Sequence, residues 1–425
     1  METINIERMT YGIDSLGHLN GKVVFVPYGA PNDRAEIEIK ETKNDFLRGS
    51  LTRVVEASPL RRESPCPNFP ECGGCHWLHL LPETQLREKE DYLRFILKPL
   101  SPGAIYPIEA LPMTHYRNKM ELKVKVNEDG NVVLGNYKYR SHDVVPLNGC
   151  IVQCHENLTI LKALNEFFKQ PNGAGIAKNI DEIMVRTLKT QQHALIYQKS
   201  PPDDITLNAF RDFFNQQESL SRLELVDKES SFLTLVREKP PFAFMKKNWT
   251  VSPHSFFQNN LDGAEAIYYT LISIYDNIHS KGRFIDLYCG VGIQTMVLEN
   301  RFEEVLGVES NEDSFQDALK NLKTRNTSRI RFICRRAETI FGTPMTKGVI
   351  AGLHLNPPRT GISQRVGRGL MGIKPRLITY LSCNPMTFKR DALMIMQMGY
   401  RLEQVHAFDL FPGTFHLEIL GTFIR

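Results

Sequence analysis

From about residue 250 onward, short apolar runs alternate regularly with amphipathic stretches, and this alternation constrains the fold more than any other feature. Helices are expected over 260–278, 293–300, 312–323, 364–372 and 386–397. Between them lie the runs "RFIDLY", "EVLGVE", "RIRFIC", "GVIAGLHL" and "RLITYLS", and two further strands close the chain. Apolar runs without polar alternation suit strands covered on both faces, and the intervening segments are long enough for crossover helices. The pattern is that of an α/β fold, a doubly wound Rossmann-like parallel sheet that gathers its ligands at the carboxyl ends of the strands.

The preceding half has a different texture. Residues 1–57 show short alternating runs between Gly, Pro, Asn and Asp turns, which suits a small OB-like β-barrel. Residues 58–100 hold a Pro/Gly/Cys-rich break and a helical stretch, and 101–244 are mixed and strand-rich, leaving 245–425 to the α/β domain. A chain of 425 residues can bury a core in each of several such units. The opening "METINIERMTYGID" has neither a basic region nor an apolar core of the secretory kind. No run approaches the ~18 apolar residues of a membrane span. A cytoplasmic monomer without membrane contact is expected, so its eight cysteines point to metal binding or catalysis rather than disulfides.

Charge is informative once located. Residues 325–376 carry eleven Lys/Arg and one acid, Glu338, whereas residues 1–57 carry seven bases and nine acids. Such an imbalance beside an expected ligand edge favours a polyanion, most simply a nucleic acid.

Three constellations carry chemistry. In "FIDLYCGVGIQTM", Asp286, Gly290 and Gly292 fall at a strand-to-helix turn, and Glu309 ends the next strand nineteen residues after Gly290. Glycines admit a ligand close to the backbone, and an acid at that distance suits the ribose of a nucleotide-like cofactor. The short turn fits S-adenosylmethionine better than a nicotinamide dinucleotide. In "CPNFPECGGCH", Cys66, Cys72 and Cys75 form C-x5-C-x2-C, with Cys150 and Cys154 as nearby sources of a fourth thiolate. Zinc and a [4Fe–4S] cluster both take four thiolates, and the spacing leaves the choice open. In "TYLSCNP", Cys383 stands at a strand tip where the chain must turn, and Glu418 lies on an apolar closing strand where an unpaired carboxylate is costly.

With "DLYCGVG", "NPPRTG", "SCNP" and "HLE" in this order behind the C-x5-C-x2-C motif, the chain resembles the bacterial RNA uracil-5-methyltransferases, and in particular their iron–sulfur branch acting on 23S ribosomal RNA. The resemblance extends over nearly the whole length and makes the amino-terminal strands a TRAM barrel. It implies that Cys383 attacks C6 of a uracil in RNA, that C5 takes the methyl group of S-adenosylmethionine, and that Glu418 then removes the C5 proton. It further implies cofactor contacts from Gln258, Tyr288, Gly290, Glu309 and Asn356. Cys66, Cys72, Cys75 and Cys150 become the ligands of a [4Fe–4S] cluster, with Cys154 a spare. Ribosomal RNA is implied ahead of transfer RNA. Three positions depart from the family pattern: Asn356 replaces an aspartate, Arg336 a short polar residue, and Gly413 a histidine. They define the alternative, a non-catalytic or altered-specificity RNA-binding paralogue with a structural metal.

Overall fold

The computed structural model describes residues 1–276 and 282–425, which divide into two compact units. The first unit comprises Met1–Lys89, Pro112–Pro240 and Phe411–Phe415, and the second Glu90–Leu111, Pro241–Leu410 and His416–Arg425. The domain boundary expected between residues 100 and 101 therefore falls inside a stretch that groups with the second unit.

The chain opens with five strands, β1 (Glu2–Met9), β2 (Asp14–Leu19), β3 (Lys22–Pro27), β4 (Arg34–Thr42) and β5 (Phe46–Glu56), closed into a barrel in the order β1-β2-β3-β5-β4. Ile4 and Ile6, Val24 and Val26, and Ala35 and Ile37 point inward in pairs two residues apart and fill it. Closure leaves no unpaired strand edge. Helix α1 (Pro82–Leu97) and the two-residue strand β6 (Ala104–Ile105) follow.

The rest of the first unit is built on a sheet of β7 (Lys119–Val126), β8 (Val132–Tyr137), β9 (Val144–Pro146), β10 (Ile180–Leu188), β11 (Gln191–Gln198), β12 (Arg222–Val226) and β13 (Ser231–Val236). Its order is β13-β12-β11-β10-β7-β8-β9, and β11 and β12 are its parallel neighbours. Helices α2 (His155–Phe168), α3 (Gly173–Lys178) and α4 (Asp204–Gln216) complete it, and α4 makes the crossover that a parallel pair requires. Ile160, Leu164 and Phe167 of α2 and Phe210 and Phe213 of α4 share one core with Leu122, Ile183 and Val185 of the sheet.

In the second unit a hairpin of β14 (Phe242–Phe244) and β15 (Lys247–Trp249) precedes the alternating region. The latter runs α5 (Leu261–Asp276), β16 (Arg283–Leu287), α6 (Ile293–Val297), β17 (Glu304–Glu309), α7 (Glu312–Lys323), β18 (Ile330–Cys334) and β19 (Ile350–Leu355). It continues with α8 (Gln364–Ile373), β20 (Leu377–Ser382), α9 (Pro385–Gln397), β21 (Arg401–Phe408) and β22 (Glu418–Ile424). The sheet order is β18-β17-β16-β19-β20-β22-β21-β6. The first five of these strands are parallel, with the order reversing between β16 and β19, the switch point where such sheets bind ligands.

The sheet departs from the all-parallel expectation at its far side, where β22 runs antiparallel to both β20 and β21. The link from Phe408 to Glu418 contains no helix and is too short for the crossover of a dozen or more residues that a parallel return needs. The helix expected over 293–300 ends at Val297 and passes into a 3₁₀ turn, Glu299–Arg301. The helix expected over 260–278 is α5, and positions 277 and 278 lie outside the described residues. Asn260 caps it, its side-chain oxygen accepting from the Gly263 N–H at 3.1 Å. Among the described residues, no helix is long and apolar enough to cross a membrane.

Candidate active site

Cys383 follows directly on β20, and Glu418 is the first residue of β22. The antiparallel register of these strands pairs Leu381 with Leu420 and Ser382 with Ile419, which brings the ends of both strands together and puts Cys383 within reach of the Glu418 charge. Sequence separation hides this meeting and strand pairing produces it. Asn384 takes up the turn, its side-chain oxygen accepting from the N–H groups of Met386 and Thr387 at 3.0 and 3.2 Å as the cap of α9. With Pro385 at the first helical position, the chain leaves the strand and starts a helix within two residues, which keeps the thiol at the rim.

The electrostatics of the pair involve a third residue. Burial and the Glu418 charge push the Cys383 thiol up, and the charge of the nearby Arg359 guanidinium pulls it down. Glu418 is 5% exposed, and burial pushes its carboxyl up to about 8 against the pull of Arg359. Arg359 therefore favours the anionic form of both partners. Its loop is fixed from below by Asp391 of α9, which accepts from the Ile362 N–H and from the Tyr380 hydroxyl, both at 2.8 Å. Gly361 allows this approach: its φ is +78°, and a Cβ there would stand 2.2 Å from the Asp391 carboxylate.

The glycine turn lies at the carboxyl ends of β16 and β17. Tyr288, Gly290 and Gly292 have φ of +65°, +54° and +80°, three left-handed residues in five that turn the backbone back on itself. A Cβ added at Gly290 would meet no atom within 4 Å, so one face of the turn is open to a ligand. Glu309 holds the turn with both oxygens: one accepts from the Gly290 N–H at 2.9 Å, the other from Ser310 and Asn311 at 2.7 and 2.8 Å. Behind the turn the buried Asp286 accepts from Gln294 at 2.8 Å and from the Thr295 hydroxyl, and burial raises its carboxyl to about 7. The Asn356 N–H reaches the Leu287 carbonyl at 3.4 Å, which sets Asn356 at the end of β19 beside this turn. Gln258 lies on the segment before α5, which α7 secures: Asp317 accepts from Ser252 N–H and Ser255 Oγ at 2.6 and 2.7 Å. Asn321 joins the same segment to the turn, accepting from the Thr250 N–H at 2.6 Å and donating to the Val291 carbonyl at 3.1 Å.

In the first unit, Cys66, Cys72, Cys75 and Cys150 line one cavity of about 370 Å³, together with Arg117 and Asn136. Burial raises the Cys75 thiol, and Cys150, Cys72 and Cys66 raise it further, in that order, so the four groups sense one another. All four are free thiols, and Asn136 Nδ2 stands 3.6 Å from Cys72 Sγ. Among the described residues, no group of three or more His, Cys, Asp or Glu is arranged to hold a metal ion. Cys154, at the start of α2, does not line the cavity.

The departures from the family pattern have distinct settings. Gly413 belongs to the first unit, with φ of +81°; its N–H donates to Gln85 at 2.9 Å and its carbonyl accepts from His76 and Trp77 at 2.9 and 2.8 Å. A side chain there would be strained and would meet Leu78 at 2.7 Å, so glycine suits this particular turn. Arg336 is exposed and ion-paired with Glu338 at 3.2 Å.

The sequence reading named Cys383 and Glu418 but missed Arg359, although it stands in the quoted "NPPRTG". It also missed Asp317, Asn321 and Asp391. For Asp391 the signal was a polar residue among the apolar positions of a helix face, and for Asp317 and Asn321 a run of buried polar positions, each an expensive placement unless hydrogen-bonded to something specific.

Comparison with known proteins places the chain in a family. The family model described as tRNA (uracil-5-)-methyltransferase matches residues 82–425, and that of the TRAM domain matches residues 2–52. A Bacillus cereus protein described as an uncharacterized RNA methyltransferase is 26% identical, over 98% of this chain and 95% of its own. An Aquifex aeolicus protein of the same description is 28% identical, over 98% of this chain and 97% of its own. Among solved structures, the Pyrococcus abyssi tRNA (uracil-54, C5)-methyltransferase in complex with S-adenosyl-L-homocysteine matches with a TM-score of 0.76 at 22% identity, over 99% of both chains. That likeness supports the fold, and the family match supports the activity. The chain belongs to the tRNA (uracil-5-)-methyltransferase family and is an S-adenosylmethionine-dependent RNA (uracil-5-)-methyltransferase with an amino-terminal TRAM domain.

Proposed function

We propose that the enzyme methylates C5 of a uridine in 23S ribosomal RNA through a covalent bond between Cys383 and C6. The Cys383 thiolate adds to C6, and the displaced electron pair passes to C5. C5 takes the methyl group from the sulfonium of S-adenosylmethionine, releasing S-adenosylhomocysteine. Glu418 removes the C5 proton, and the electrons of that C–H bond restore the 5,6 double bond as the thiolate leaves. The observation that supports this reading is the β20–β22 pairing, which brings the strand ends carrying Cys383 and Glu418 together with Arg359 drawing both toward their anionic forms. The target base must leave its stack to reach them. We assign the cofactor to the open face of the glycine turn, with Gly290, Tyr288, Glu309, Asn356 and Gln258 around it. Ribosomal RNA is preferred to transfer RNA on the motif resemblance, and a cytoplasmic monomer is the working form. Mass spectrometry of ribosomal and transfer RNA from cells with and without the gene tests the assignment. Loss of one 5-methyluridine from 23S RNA is expected, and its loss from transfer RNA alone would reassign the substrate.

At Asn356 the neutral amide accepts hydrogen bonds without the charge that strengthens them roughly twofold. Restoring charge assistance at one bond is worth on the order of 1 kcal/mol. Asn356→Asp should therefore raise methyl transfer several-fold while cofactor binding persists. Calorimetric titration of S-adenosylmethionine into both proteins, beside the transfer assay, checks this. Equal or lower activity in the aspartate variant would remove Asn356 from the reacting centre.

We also propose that Cys66, Cys72, Cys75 and Cys150 hold a [4Fe–4S] cluster. What supports this is that the four cysteines line one cavity, and the motif resemblance favours the cluster over zinc. When bound, the cluster would supply folding energy and rigidity to the loops carrying these cysteines, since the methyl transfer above contains no redox step. Protein purified without oxygen should be brown with about four irons per chain. Cys150→Ser should bleach it, while Cys154→Ser should not. A colourless protein holding zinc would overturn the assignment.

A further inference from the structure

We infer that the outer edge of the second unit's sheet is a docking track for the phosphates of an RNA backbone, running from the catalytic rim to a basic hollow at the opposite end of the strands. β18 is the outermost strand, paired among the described residues with β17 alone. Arg329 precedes it, Arg331 lies within it and Arg335 follows it, and all three are exposed. At ~3.3 Å per residue the five-residue strand spaces these arginines over at most about 20 Å of chain.

The two ends of this row are distinct. At the carboxyl end the Arg335 N–H donates to the Glu309 carbonyl at 2.8 Å, so the row begins at the residue that secures the glycine turn. At the amino end Arg329 and Arg331 join Arg283, Glu304 and Ser328 around a hollow of about 320 Å³. Strand pairing sets Arg283 beside Glu304, and the Val305 N–H bonds to the Arg329 carbonyl at 2.9 Å, so these side chains share one end of the sheet.

Three of the nearby acids are already engaged. Glu304 pairs with Arg283 at 2.7 Å, Glu312 accepts from Gln316 at 2.7 Å, and Glu338 pairs with Arg336 at 3.2 Å. Among the described residues, Arg329, Arg331 and Arg335 have no carboxylate partner. Their forks match phosphate oxygens, and they lie in the stretch with eleven bases and one acid. An enzyme that must pull a base out of its stack gains by gripping the flanking backbone, and such contacts position the RNA without reading its sequence. The partner is therefore RNA backbone rather than an acidic protein.

The test is fluorescence anisotropy with a labelled twenty-nucleotide oligouridine over a series of KCl concentrations. Arg329→Glu/Arg331→Glu should weaken binding at low salt by about tenfold or more. The slope of log affinity against log salt should shrink by about 1.4, at roughly 0.7 per lost single-strand phosphate contact. Arg329→Lys/Arg331→Lys should keep most of the slope. Arg335→Glu should weaken binding with a smaller change of slope. Unchanged thermal melting and S-adenosylmethionine binding establish that the fold and the cofactor turn are intact. If charge reversal impairs folding, Arg329→Gln and Arg331→Gln singly should each lower the slope by about half as much. An unaltered slope in well-folded variants overturns the proposal. So does polyglutamate binding that these variants abolish while oligouridine binding stays unchanged, which would mark an acidic-protein surface. Inorganic phosphate competing as well as the oligonucleotide at equal phosphate concentration would reduce the track to an isolated anion pocket and overturn it as well.

Discussion

Cys383→Ala should abolish methyl transfer, with a loss of about 10⁴-fold or more, the scale of removing a covalent nucleophile. The thiol is half-buried at the tip of β20, and the turn beneath it is made by Asn384 and Pro385, which the substitution leaves in place. Thermal melting should therefore move little, and cofactor binding should be retained, because the glycine turn belongs to different strands. A 5-fluorouridine RNA separates a nucleophile from a bystander. Fluorine at C5 cannot leave as a proton does, so the wild type should be trapped as a methylated covalent adduct visible on denaturing gels, and the alanine variant should not. Turnover by the variant would remove Cys383 from the chemistry. Arg359 predicts a graded companion effect: its loss should slow attack by weakening the thiolate, most strongly at low pH, without removing the adduct.

The sequence disclosed this site unevenly, for physical reasons. Motifs of local geometry were legible. The glycine turn, the Pro-stopped strand tip and the C-x5-C-x2-C loop each depend on residues adjacent in the chain. The five parallel strands were legible too, because strands buried on both faces leave an unbroken apolar record. The closing part was less so. The order β20-β22-β21 depends on a connection too short for a crossover, and the apolar runs of parallel and antiparallel strands look alike. The meeting of Cys383 with Glu418 follows from that pairing, so without the family resemblance it could not be read. The small strand β6, which joins the far edge of the sheet from residues 104–105, had no signal of its own in a region that reads as strand-rich throughout. The supporting carboxylates and amides were the least visible. Asp317, Asn321 and Asp391 sit on helices whose periodicity announces only a buried face, and what they hold is decided by loops far away in sequence.

Glu418→Gln should separate the two halves of the reaction. The amide fits the space of the carboxyl but cannot take a proton, so thiol addition and methylation proceed and release does not. A methylated RNA–protein adduct should accumulate with ordinary uridine RNA, while multiple turnover falls by about 10²–10⁴-fold, the usual range for a lost general base. The pH dependence follows from the burial of the group. In the folded protein the carboxyl is pushed up to about 8, so below that pH it is mainly neutral and cannot act as a base. Wild-type release should therefore rise with pH until about 8 and then level off, while the slow release from the glutamine variant should lack this limb. Stability must move in the opposite direction. A carboxyl raised from 4.5 to about 8 makes the native state bind more protons than the unfolded chain across that interval, so stability is full below it and is lost as pH rises through it. Glutamine carries no such proton. Chemical denaturation at a series of pH values should thus show Glu418→Gln gaining on the wild type between about 4.5 and about 8 and keeping a constant advantage above. If the variant turned over normally, the base would lie elsewhere. If it failed to form the adduct yet gained stability over that window, Glu418 would be a buried acid that assists the attack of Cys383 rather than the base that completes the reaction.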